Sequence, residues 1–155
     1  MSVFMLAGMS VVQEAAAQRL GVDMKAIDRV IQEWDYANNA RSVESFERVY
    51  ADTLLFYTEV VPQSRAIVLK QRMFRQKPSF RQKISTAIEC VPFTSGLTKC
   101  DFTKEVRERE SWKAYPSYLL VSYENNRYQI VGESDYATDR VLRYSLEIGE
   151  PMKFE

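Results

Sequence analysis

The sequence predicts an α+β domain in which N-terminal helices pack on a strongly curved antiparallel sheet around a central pocket. Three observations predict it. Apolar residues recur at helical spacing before Pro78, the period changes to alternation after it, and two later pairs of alternating segments flank turn-forming residues. Helices grouped ahead of antiparallel strands give helices on one side of one sheet.

Over 24–40, Ile27, Val30, Ile31, Trp34 and Ala37 form the stripe of a helix that buries one face. Asn38 and Asn39 favour its end. Ser42 or Ser45 can cap a short second helix with Phe46, Val49 and Tyr50 inward. The β-branched and aromatic run 53–61 reads as one strand stopped by Pro62. Ser64 opens a third helix, with Ala66, Ile67, Lys70, Met73 and Phe74 at helical spacing, closed by Lys77-Pro78. Residues 80–91 and 97–106 read as two long strands around PFTSG, where Gly96 can take positive φ. A second hairpin, 115–124 with 127–135, turns at Asn125-Asn126, and 135–144 forms a final turn or helix. The stripe of Leu119, Val121 and Tyr123, opposite Tyr118 and Leu120, is expected to leave the outer sheet face apolar enough to need cover.

The chain divides into an apolar N-terminal segment 1–20, a domain 21–144 and a tail 145–155. The first segment has an apolar stretch from Val3 to Val12 followed by Ala15-Ala16-Ala17, too short to span a bilayer. Two readings stay open, a truncated export signal and a docking helix. No Lys or Arg precedes the apolar stretch, and Glu14 follows it. Export would place the chain in the periplasm or outside the cell. Without it the expected location is cytoplasmic.

At 155 residues one domain can bury about two-thirds of the surface its unfolded chain exposes. Twenty-one basic and twenty-one acidic side chains cancel, and the basic alternation over 70–83 reads as a solvated face, so nucleic acid is not expected as a partner. The absence of histidine removes the commonest general base, the imidazole metal ligand and the histidine-based triads. Two cysteines cannot build a four-sulfur zinc site, and neither metal nor cofactor is expected.

Trp34 with Ala37 and Asn38, then Phe46, Tyr50-Ala51, Leu55, Phe56-Tyr57, and Ser64 starting a helix that carries Lys70, resemble the nuclear transport factor 2-like superfamily over about 24–140. That resemblance implies a cone-shaped fold shared by ketosteroid isomerases, scytalone dehydratases, polyketide cyclases and many binding or scaffold domains. A second block, from Pro78-Ser79-Phe80 through Cys100-Asp101-Phe102-Thr103-Lys104 and Tyr115-Pro116-Ser117-Tyr118-Leu119 to Glu133-Ser134-Asp135, is similar to bacterial secreted or lipoprotein members of unassigned role. The scytalone dehydratase-like site depends on histidines that this chain lacks. A ketosteroid isomerase-like site would need an acidic base, a tyrosine and a protonated acid.

Alternation places Cys100, Phe102, Lys104 and Val106 on one face, so Lys104 points with apolar neighbours and needs a partner, for which Glu133 and Asp135 are the candidates. Trp34, Tyr57 and Tyr118 complete the list of pocket candidates, with core packing as the plainer reading of each. Cys90 and Cys100 lie symmetrically about Ser95, nearly opposite in a regular hairpin. A disulfide and two buried thiols both remain open. The expected function is a non-enzymatic ligand-binding or assembly domain, dimeric through its outer sheet face, taking a small molecule or peptide. The alternative is a cofactor-independent isomerase, cyclase or dehydratase using carboxylate and tyrosine on a partly hydrophobic molecule.

Overall fold

The computed structural model describes residues 21–93 and 96–141. The segment 1–20, the end of the 135–144 element and the tail 145–155 lie outside the described residues. Helix α1, Met24–Ala40, starts at Asp23, whose carboxylate accepts from the Ala26 N–H, and ends where Arg41 takes the left-handed conformation. Its inward stripe is Ile27, Ile31, Trp34, Ala37 and Asn38. Ser42 caps α2, Val43–Val49, by accepting from the Ser45 N–H.

Strands β1, Tyr50–Phe56, and β2, Glu59–Pro62, take the place of the single strand that the β-branched and aromatic composition of 53–61 suggests. The chain instead reverses at Tyr57-Thr58, with both φ angles positive (46° and 75°), so Phe56 pairs with Glu59 across a two-residue turn. Such turns normally use Asn or Gly, and the sequence here offers neither. Tertiary contacts hold it: the Tyr57 N–H donates to the Glu133 carbonyl at 2.8 Å. Helix α3, Gln63–Gln76, then buries Ala66, Ile67, Lys70 and Phe74.

The expected long strand 80–91 is two, β3 (Arg81–Ile84) and β4 (Glu89–Pro92), both paired with β5, Leu97–Glu108. Between Ile84 and Glu89 the chain bulges. Ser85 donates to the Thr103 carbonyl through its N–H (2.9 Å), and the Thr86 hydroxyl accepts from the Thr103 N–H (2.8 Å). Short hydroxyl side chains thereby take over part of the ladder, a competition that alternation does not reveal. Across the β4–β5 hairpin, Cys90 faces Cys100 and is joined to it as a disulfide. Gly96 has φ 77° at the hairpin's end.

Strand β6, Ser111–Glu124, begins earlier than its sequence pattern suggests, turning from β5 at Arg109-Glu110. The turn to β7, Arg127–Asp135, uses Asn125-Asn126, both left-handed. The sheet order is β2-β1-β7-β6-β5-β3, with β4 also on β5. Here the all-antiparallel expectation fails, because β1 and β7 pair in parallel. Pairing between strands so distant in sequence leaves no local signal. The sheet is therefore mixed, curled and unclosed, with α1, α2 and α3 on its concave side, and 136–141 is helical after β7.

One irregularity decides what enters the concave side. Val121 pairs with Ile130 and Leu120 with Gly132, leaving Val131 as a bulge. Residues three apart on a regular strand face opposite ways, but the bulge lets Ile130 and Glu133 both point inward, opposite Val121 and Leu119. Leu119 and Val121 are fully buried there, not on the outer face as the stripe argument had it. The outer face carries Tyr118 and Leu120, with Leu120 lying so close over Gly132 that a Cβ would meet its side chain at 2.7 Å.

Candidate functional site

Glu133, 2% exposed, sits at the centre of the concave side. Its Oε1 accepts from the Trp34 indole N–H (2.7 Å) and the Tyr50 hydroxyl (2.5 Å), and its Oε2 accepts from the Lys70 ammonium (2.6 Å). Lys70 also donates to Asn38 Oδ1 at 2.9 Å. Its ammonium lies 5.7 to 5.8 Å from the ring centroids of Trp34, Phe46 and Phe56. An aromatic cage, an amide oxygen and a carboxylate thus replace the water that this cation gives up.

Lys104 reaches the same region from β5 and donates to the Tyr57 hydroxyl at 2.9 Å. Its expected partners were Glu133 and Asp135, but α3 delivers Lys70 to Glu133 instead. Asp135 accepts from the Thr138 N–H at 2.7 Å, capping the helix that begins at 136. Glu133 and Asp135 act on Lys104 through their field alone. Tyr118 is not brought to this group: it lies on the outer face, where its hydroxyl and that of Ser134 both donate to Asp139 at 2.8 Å.

Burial would raise the Glu133 carboxyl, but the charges of Lys70 and Lys104 and the hydrogen bonds from Lys70 and Tyr50 outweigh it and hold the pKa below the carboxylate range. Lys104 moves down to about 8, chiefly through burial and then through the Lys70 charge, with Glu133 and Asp135 opposing. Burial and the Glu133 charge raise Tyr50 and Tyr57 well above the ordinary phenol value. At neutral pH the group therefore contains an ionised carboxylate and two neutral phenols.

The cluster meets solvent through a groove of about 420 Å³ between α3 and the Tyr57-Thr58 turn. Phe56, Tyr57, Leu69, Lys70 and Met73 form its walls, while Glu59, Arg65, Arg72 and Lys77 stand around it. Trp34 is wholly buried and belongs to the core. Sequence reasoning passed over Lys70, Asn38 and Tyr50 as site residues. The available signal was the lysine on the apolar stripe of α3, where a charge has to be paired. Among the described residues no cluster of His, Cys, Asp and Glu could hold a metal, and no helix is long and apolar enough to cross a membrane.

The sequence matches no family model and no curated protein. Its structure is similar to a Bdellovibrio bacteriovorus protein (TM-score 0.60, 9% identity), covering 72% of this chain but 39% of that one. It is also similar to a nuclear transport factor 2-like protein of unknown function from Shewanella oneidensis (TM-score 0.59, 11% identity), covering 72% of this chain and 96% of that one. A Shewanella frigidimarina protein, provisionally assigned as a ketosteroid isomerase, gives a TM-score of 0.54 at 9% identity, with 70% and 92% covered. At these identities the shared property is the fold. With its helices on a curled sheet, this chain shares the cystatin-like α+β fold of these solved structures, several of which are described as nuclear transport factor 2-like.

Proposed function

We propose that the domain is non-enzymatic and binds a small ligand in the groove between α3 and the Tyr57-Thr58 turn. The observation that carries this reading is the state of Glu133. A general base works best with a pKa near the working pH, and it must have a lone pair within reach of its substrate. Glu133 accepts three hydrogen bonds, lies beneath the core aromatics and is held below the carboxylate range. Asp135 spends an oxygen on a helix start. Neither is arranged to take a proton from a ligand. The groove, in contrast, has the volume and the apolar walls of a small-ligand site. The test is proton exchange: enolisable cyclic ketones incubated with the protein in D2O are expected to exchange no faster than in buffer. Protein-dependent exchange would favour the isomerase alternative instead.

We also propose that the chain is exported and that it forms a dimer. Export accords with the Cys90–Cys100 disulfide, since such bonds persist in oxidising compartments. Dimerisation through the outer sheet face is supported by the half-buried strip of Leu120, Tyr118 and Tyr136. Light scattering at micromolar concentration is expected to give twice the chain mass, and a monomer would remove this part.

A further inference from the structure

The groove has a marked polarity of charge. Its walls are apolar, yet the side chains around it are Arg65, Arg72 and Lys77 against one acid, Glu59. Lys77 is engaged by Glu108 at 2.8 Å, and Lys70 by Glu133. Among the described residues neither Arg65 nor Arg72 has a carboxylate within ion-pair distance. Both are exposed, and with Leu69 and Gln76 they follow one helical stripe along α3 facing the groove. Arg65 stands in the first turn of α3, where a positive charge opposes the helix dipole, and that turn contains no acid. Its place there is electrostatically unfavourable for the folded chain by itself, and an anion beside it would offset that.

We propose that the ligand of this groove is an organic anion with an apolar body, its charged end held by Arg65 and Arg72 and its body lying against Phe56, Tyr57, Leu69 and Met73. This rests on the ligand-binding reading above and adds the ligand's chemical class. A carboxylate and a phosphate monoester share the required chemistry, since both offer oxygens to the guanidinium fork. A cationic ligand would meet two uncompensated arginines, and a neutral one would leave them without a partner.

The experiment uses four probes with the same ring system: 2-naphthoate, 2-naphthyl phosphate, 2-naphthol and 2-naphthylmethylammonium. Each is titrated into the full chain, followed by calorimetry and by the NMR shifts of the Leu69 and Met73 methyl groups. At least one anion is expected to bind about tenfold or more tightly than the naphthol, the size of one hydrogen bond to a charged group. Which anion binds more tightly identifies the headgroup. The Arg65→Glu/Arg72→Glu variant changes two exposed positions, so its circular dichroism should match that of the parent. It is expected to lose about tenfold or more in anion affinity while leaving naphthol binding unchanged. If naphthol or the ammonium binds in the groove as well as the anions, or the double variant binds the anions undiminished, the anion assignment is overturned while groove binding stands. If none of the four shifts the Leu69 and Met73 signals, the binding reading falls with it.

Discussion

Replacing Glu133 with leucine is expected to lower folding stability by about 3–5 kcal/mol, because it leaves the Lys70 ammonium buried without its counter-charge. Trp34 and Tyr50 lose their acceptor at the same time. Against a total stability of about 5–15 kcal/mol for an ordinary domain, much of the folded population at physiological temperature is at stake. The informative comparison is the pair Glu133→Leu with Lys70→Met. Removing both charges together is expected to restore part of the loss, since apolar side chains can replace a buried ion pair without penalty, while Trp34, Tyr50 and Asn38 remain without their partners. Urea denaturation of the two single variants and the double variant measures this coupling. A double variant no more stable than the weaker single would mean that the charges do not account for the loss. Acid should act in the same direction as Glu133→Leu. The folded pKa is depressed, so the stability that Glu133 contributes is present above its unfolded value and is lost as pH falls through the folded one.

The second large effect lies at alkaline pH. Lys104 titrates near 8 in the folded protein against 10.5 for an unperturbed lysine. Between those values the unfolded chain holds the proton that the folded chain has released, so stability should climb as pH rises, by about 3 kcal/mol if no other group intervened. Tyr50 and Tyr57 set the upper limit. Their folded pKa values lie well above 10, so above pH 10 the unfolded phenols ionise first and stability falls. The denaturation midpoint should therefore peak at roughly pH 9 to 10. In Lys104→Met the climb from pH 8 should vanish. A parent profile that is flat or falling between pH 7.5 and 9.5 would show that Lys104 is not held in a costly charged state.

The elements legible in the sequence are those whose signals are local. The first helix and the Asn125-Asn126 turn come directly from spacing and side-chain chemistry, and of the two serines that could cap the second helix the structure uses Ser42. The reversal at Tyr57-Thr58 and the break after Ile84 were missed because backbone contacts made by distant residues impose them on strand-forming sequence. The site divides the same way. Lys104 on the inner face follows from alternation, whereas the pairing of Glu133 with Lys70 depends on how α3 lies over the sheet. Tyr118 shows the opposite failure: its composition suits a pocket, but its parity carries it to the outer face.

The bulge at Val131 gives β7 two frames of alternation, one shared with the hairpin before it and one shared with the cluster after it. The strand can therefore satisfy a continuous core through Ile130 and still deliver a carboxylate to the interior at Glu133, two demands that an unbroken strand would set against each other. If Val131 instead took a regular place in the ladder with no residue bulged out, Ile130 and Glu133 would face opposite ways, and either the core side chain or the carboxylate would turn toward the outer surface. In this sense the register of the strand, as much as its residue types, encodes the cluster.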